Sequence, residues 1–168
     1  LVVGAGTGYT TAIAAELAGA ANVSAIDLSR ELVLEARRNL SRAGYGEALV
    51  DRRDGAEGLP EYAPFDRVLI EAAAVRPPKA LLEQLAPSGR LVMPLGAQDQ
   101  SLAVFDGPGA EPEKLAPVRF KPLLVPGEQA GGVERNRTAR EEVERQARDA
   151  QRRRGWEQDW IDWESVGD

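Results

Sequence analysis

Three glycines at alternate positions, Gly4, Gly6 and Gly8, follow the apolar stub Leu1-Val2-Val3 and lead into Tyr9 and a helical pattern. Glycine lets the backbone run close to a ligand where a Cβ would collide. A dinucleotide turn has the spacing G-x-G-x-x-G, whose last place falls here on Tyr9. The spacing present, G-x-G-x-G, is the one associated with S-adenosylmethionine. That cofactor has no pyrophosphate to seat on a helix N-terminus, but its amino acid end can lie along a glycine-lined turn. Taken alone, the loop also reads as a tight strand-to-helix turn with no ligand.

Acidic residues recur where such a turn would need them. Asp27 closes the apolar run Val23–Ile26. A carboxylate at the end of a second parallel strand faces the crevice at the strands' carboxyl ends and can accept both hydroxyls of a ribose. Capping the next helix is its alternative role, although Ser29 suits that better. Asp54-Gly55 follows the third apolar run, beside the place for an adenine; there a carboxylate or nearby backbone groups could bind the exocyclic amine. An isolated Asp-Gly is usually a turn. Glu71 ends the run Arg67-Val68-Leu69-Ile70 and reads either as a catalytic acid or base or as the partner of an arginine, Arg76 being nearest; Asp66 reads as structural.

Composition removes whole chemistries. The chain has no cysteine and no histidine among its 168 residues. Disulfides, thiolate metal sites, cysteine nucleophiles and serine–histidine triads are therefore excluded, together with the commonest general base and metal ligand. We expect no metal site. A net charge of −6 argues against nucleic acid as a partner. No run of eighteen apolar residues and no charged-then-apolar leader is present, so the expectation is a cytoplasmic protein without a membrane segment.

The elements that must position these residues alternate between strand and helix. Strands are expected at Leu1–Val3, Val23–Ile26, Ala48–Val50, Arg67–Ile70 and Leu91–Met93. A helix is expected over Tyr9–Ala18, with Ile13 and Leu17 four apart and Gly19 closing it. A second runs from an N-cap at Ser29 through Ala43, with Leu32, Ala36, Leu40 and Ala43 as its apolar stripe and Gly44 ending it. Pro78–Leu85 reads as a short helix and Pro87-Ser88-Gly89 as a turn. This alternation implies an α/β fold, a doubly wound and mostly parallel sheet with helices on both faces. Beyond Gly96 the order changes. Ser101–Phe105 and Val118–Phe120, joined by the Gly- and Pro-rich loop Gly107–Glu113, read as an antiparallel pair at the sheet edge.

The expected cofactor domain covers residues 1–130, and residues 131–168 are expected to form a charged helical tail. Arg137–Arg154 reads as an exposed helix stopped by Gly155. Trp156, Trp160 and Trp163 then share one helical face. That face reads as a docking surface for the body or for a second copy of the chain, hence a candidate for self-association.

The ordered motifs resemble a family. Gly4-Ala5-Gly6-Thr7-Gly8-Tyr9-Thr10-Thr11-Ala12, Asp27, Glu35-Ala36-Arg37-Arg38-Asn39-Leu40, Asp54-Gly55, Glu61-Tyr62-Ala63-Pro64-Phe65-Asp66 and Ala72-Ala73-Ala74 are similar to those of protein-L-isoaspartate O-methyltransferases. So are Ala80-Leu81-Leu82-Glu83-Gln84-Leu85, Gly89-Arg90-Leu91-Val92 and Pro117-Val118-Arg119-Phe120, and the resemblance runs to about Gln129. It implies a Rossmann-like methyltransferase fold, S-adenosyl-L-methionine as cofactor, and isoaspartyl residues of damaged proteins as substrate. Such enzymes esterify the isoaspartyl α-carboxylate, and the ester collapses to a succinimide that partly reopens to aspartate. The missing histidine fits, because a carboxylate with pKa near ~4 is already ionised at neutral pH and needs no base.

By resemblance the cofactor contacts fall on Gly4, Gly6, Thr7, Gly8, Asp27, Leu28, Asp54 and Gly55, with Gln129 as a further one. No catalytic residue can be assigned. Family members usually carry an acid two places before the first glycine, where Val2 stands here; Arg53 replaces a usual glycine, and Glu71 a small or hydroxyl residue. The strand stub is also short of the ~5–6 residues typical of a strand, and the chain starts with Leu rather than Met. A preceding segment is expected, carrying the Ser or Thr that the resemblance places on the acceptor carboxylate. A methyltransferase with another acceptor and a non-catalytic cofactor-binding protein are the alternative readings.

Overall fold

The computed structural model describes residues 1–123. Seven strands form one sheet in the order β3-β2-β1-β4-β5-β6-β7. They are β1 (Val2–Val3), β2 (Ser24–Asp27), β3 (Leu49–Arg52), β4 (Phe65–Ile70), β5 (Leu85–Leu95), β6 (Gln100–Asp106) and β7 (Glu113–Val118). β1 to β5 run parallel, whereas β6 is antiparallel to both of its neighbours. The α-helices among the described residues are α1 (Tyr9–Ala18), α2 (Arg30–Arg42) and α3 (Lys79–Glu83). The doubly wound, mostly parallel sheet expected from the sequence is present. No helix among the described residues is long and apolar enough to cross a membrane.

Alternation along β1 and β2 splits the core between the two faces of the sheet. Val2 and Ala25 join Ala15 of α1 and Val33, Ala36 and Leu40 of α2. Val3 and Ile26 join Ile70, Leu81 of α3, Leu91 and Met93 on the other side. α2 starts as expected, with the Ser29 hydroxyl accepting from the Leu32 N–H at 3.3 Å. Its buried stripe is Val33, Ala36 and Leu40; Leu32 is half-buried and Ala43 is exposed, so the stripe is rotated from the expected one.

α1 has the expected ends but the opposite buried face. Thr11 and Ala15 are buried, while Ile13 and Leu17 are 45% and 82% exposed. The turn sets this phase. Gly8 has φ +93°, and a Cβ there would lie 3.2 Å from the Ala36 Cα. The two helices approach so closely at this point that only small side chains fit between them.

Two expectations fail at the far side. Pro87-Ser88-Gly89 is not a free turn but part of β5. Phe65 pairs with Leu85 and Arg67 with Arg90, so the intervening residues bulge out of the ladder. The last strand ends at Val118 rather than spanning Val118–Phe120. Phe120 instead pairs with a side chain: the Gln100 carboxamide accepts from its N–H at 2.6 Å and donates to its carbonyl at 3.1 Å. The expected helix Arg137–Arg154 and the face of Trp156, Trp160 and Trp163 lie outside the described residues.

Candidate functional site

β1 is the strand at which the order reverses: β2 lies on one side of it and β4 on the other. Parallel strands leaving in opposite directions open a crevice at their carboxyl ends. A cleft of about 370 Å³ lies there. It brings together five of the expected residues, Gly4, Gly6, Asp27, Leu28 and Gly55, with Glu71 beside them.

Backbone groups aim Asp27. One carboxylate oxygen accepts from the Gly6 N–H at 3.0 Å and the other from the Ser29 N–H at 2.9 Å. The first bond ties β2 to the glycine turn, the second to the start of α2. Each oxygen keeps a further acceptor direction. The turn itself is anchored by Gly4 and Ala5, whose N–H groups both donate to the Ile26 carbonyl at 2.8 and 2.9 Å. At Gly6 a Cβ would meet nothing within 4 Å, so this side of the turn borders open space. At Gly55 a Cβ would lie 2.7 Å from Val3 Cγ1 and 3.1 Å from Leu123 Cδ1. Only glycine lets this backbone reach the cleft wall without displacing its apolar lining.

Glu71 continues β4, its N–H donating to the Val3 carbonyl at 2.8 Å. Its carboxylate accepts from the Thr10 hydroxyl in the first turn of α1. The expected pairing with Arg76 does not occur. Arg76 is exposed on the loop past Ala74, whereas the pairing of β4 with β1 delivers Glu71 against the glycine turn.

Three further expected positions do not line the cleft. The Thr7 carbonyl accepts from Asn39 Nδ2 at 2.9 Å. Gly8 packs on α2. Asp54 accepts from the Ala56 N–H at 2.9 Å and, through its carbonyl, from the Glu57 N–H at 3.1 Å, which is the geometry of a turn. Gln129 lies outside the described residues. Arg53 turns away from the cleft to pair with Asp51 and Glu61.

Sequence reasoning missed one wall, formed by Lys121, Pro122 and Leu123 with Ala72. The Ala73 N–H donates to the Lys121 carbonyl at 2.8 Å and the Leu123 N–H to the Ala73 carbonyl at 2.7 Å, a one-residue parallel bridge past the end of β4. No local pattern announces a bridge between segments so far apart in the chain. Val3 and Ile26 also face the cleft; apolar strand ends read simply as core.

An open sheet with its cleft at the order reversal places the chain among the doubly wound α/β proteins that carry ligand sites at this point. Within that class, the family model described as protein-L-isoaspartate(D-aspartate) O-methyltransferase matches residues 1–127, and the chain belongs to that family. A protein-L-isoaspartate O-methyltransferase of Methanococcoides burtonii is 43% identical over 128 residues, covering 74% of this chain and 63% of the relative. One of Aeropyrum pernix is 48% identical over 109 residues, 63% of this chain and 42% of the relative. The chain thus spans less than two thirds of the length of either. Among solved structures, a protein-L-isoaspartate O-methyltransferase superposes with a TM-score of 0.68 at 25% identity, covering 82% of this chain and 44% of that one. A putative member from Plasmodium falciparum, solved in complex with S-adenosyl-L-homocysteine, superposes with a TM-score of 0.63 at 24% identity, over 73% of this chain and 64% of that one.

Proposed function

We propose that this chain binds S-adenosyl-L-methionine and catalyses methyl transfer to the α-carboxylate of isoaspartyl residues in damaged proteins. The reading rests on the family match over residues 1–127 together with a cleft lined by Asp27, Gly6 and Gly55 at the carboxyl ends of the parallel strands. Asp27 accepts the ribose hydroxyls on the lone pairs that Gly6 and Ser29 leave over. Gly4 and Gly6 line the path of the amino acid end. Leu28 and Gly55 flank the adenine, with the Asp54 turn and Gln129 as further contacts, while Thr7 and Gly8 hold the turn in shape.

When bound, the cofactor supplies a methyl group on a sulfonium, a donor that needs no further activation. The acceptor carboxylate is ionised at neutral pH. The chain therefore needs no proton-abstracting group, in keeping with its lack of histidine. Its residues act by holding the donor in line and excluding water, effects worth up to about 7–11 kcal/mol through effective molarity.

Calorimetric titration with S-adenosylhomocysteine tests the binding half. Asp27→Ala is expected to weaken affinity by about 10-fold or more, the scale of a lost charge-assisted hydrogen bond. Unchanged affinity overturns the ribose assignment. Methyl incorporation from labelled cofactor into an isoaspartyl peptide, but not into its aspartyl counterpart, tests the acceptor half.

A further inference from the structure

We infer that Gln84 is a positioning residue for ligand binding: it does not line the cleft but holds the Gly55 wall in place, a role that rests on the cofactor reading above. The crossover from β3 to β4, residues 53–64, passes two strands, yet its only helical piece is the 3-10 turn Pro60–Tyr62. Such a crossover usually carries an α-helix, which pairs its own backbone groups. Gly58 and Leu59 are buried here without one, and buried N–H and carbonyl groups need partners. Gln84 supplies them. Its carboxamide accepts from the Leu59 N–H at 2.8 Å and donates to the Glu57 carbonyl at 2.8 Å. The side chain thus brackets Gly58 as a residue of a parallel strand would.

Two links lead from Gln84 to the cleft. The first is its bond to the Glu57 carbonyl. The second is the Glu57 N–H, which donates to the Asp54 carbonyl at 3.1 Å and closes the turn that contains Gly55. Gly55 lines the cleft and packs so closely on Val3 and Leu123 that a small shift of this turn alters the wall. Gln84 cannot drift with the loop. It is buried, its N–H donates to the Ala80 carbonyl at 3.1 Å at the end of α3, and its carbonyl accepts from the Phe65 N–H at 2.8 Å at the start of β4. On the loop side the fit is tight, because a Cβ on Gly58 would collide with Gln84 Oε1. The run Leu81-Leu82-Glu83-Gln84-Leu85 therefore does more than fill the core: its one carboxamide ties α3 and β4 to the loop that forms the cleft wall.

Gln84→Met keeps the length of the side chain and removes both hydrogen bonds. If the wall is then in place only about a fifth of the time, affinity falls about fivefold. Calorimetry with S-adenosylhomocysteine, below the unfolding transition of each variant, is expected to show a loss of about that size or more. Val23→Ala, in the core on the other face of the sheet and outside the cleft, also lowers stability and should leave affinity within about twofold. Equal losses in the two variants would mean that affinity merely follows stability, and no loss in Gln84→Met would mean that the wall stands without Gln84; either overturns the assignment. A second measurement needs no variant. Coupling is reciprocal, so saturating S-adenosylhomocysteine should slow hydrogen exchange at the Leu59 N–H more than at the amides of the β6–β7 ladder. Equal slowing at both places also overturns the assignment. Failure of the unsubstituted chain to bind S-adenosylhomocysteine at all would instead sink the cofactor reading, and the role of Gln84 with it.

Discussion

The carboxyl ends of β1, β2 and β4 and the antiparallel edge β5–β6–β7 belong to one sheet but are held by different means. At the parallel ends, main-chain groups do the positioning: Gly4 and Ala5 donate to Ile26, Gly6 and Ser29 to Asp27, Glu71 to Val3. Side chains there are scarce, which leaves room for a ligand. At the edge, the ladder runs Arg90↔Asp106 to Leu95↔Ser101, and the outermost strand β7 is almost wholly exposed. Lys114 and Pro117 on that strand discourage pairing with another chain. One region spends its backbone on building a cleft, and the other on closing the sheet.

If that contrast is real, the same substitution should cost different amounts in the two regions. Gly8 and Gly109 both have positive φ, +93° and +80°. An alanine at Gly109, in the β6–β7 loop, meets nothing within 4 Å and bears only the backbone penalty, about 1–2 kcal/mol. At Gly8 the methyl would also press on the Ala36 backbone at 3.2–3.3 Å, which cannot swing aside. Gly8→Ala should therefore destabilise by about 2–5 kcal/mol, the sum of the conformational and overpacking terms. Denaturant unfolding of the two variants measures the difference, and equal losses would erase the distinction between the regions.

Gln100 is where the regions meet. It belongs to β6, yet its carboxamide stands in for a strand at Phe120, the residue before the Lys121–Leu123 wall of the cleft. Gln100→Leu keeps much of the volume and leaves the Phe120 N–H and carbonyl without these partners. The expected cost is about 1–3 kcal/mol of stability. A weaker affinity for S-adenosylhomocysteine should accompany it if the wall is positioned from the edge. A stability loss with unchanged affinity would show the cleft to be independent of β6.

How much was legible in the sequence follows the same division. The bounds of α1, the Ser29 cap and the placing of Asp27 at the cleft are local matters: glycines, a hydroxyl and an apolar run fix them within a few residues. The β5 bulge, the end of β7 and the Lys121–Leu123 wall depend on pairings with distant segments, and nothing in their own residues encodes the register. α1 shows the limit most clearly. Apolar spacing pointed to Ile13 and Leu17 as its buried face, but close contact at Gly8 and Ala36 decided the rotation, and that contact depends on the fold. At Glu71 the residue type was informative and the partner was not, because Thr10 reaches it only once β1 and β4 are paired.

The smallest expected effect has the opposite sign. Thr11 is fully buried on the true inner face of α1, and its hydroxyl has no hydrogen-bond partner among the described residues. An unsatisfied buried hydroxyl carries its desolvation cost of about 1–3 kcal/mol uncompensated. Valine has nearly the same shape and no hydroxyl, and both residues are β-branched with similar helix propensity. Thr11→Val should therefore stabilise the chain by about 1 kcal/mol, seen as a higher denaturant midpoint at unchanged slope. Because Thr11 lies behind the turn rather than in the cleft, affinity for S-adenosylhomocysteine should stay the same. Destabilisation by Thr11→Val would mean that the hydroxyl is satisfied in solution, and that the glycine end of the sheet has a polar interior contact which backbone groups alone do not provide.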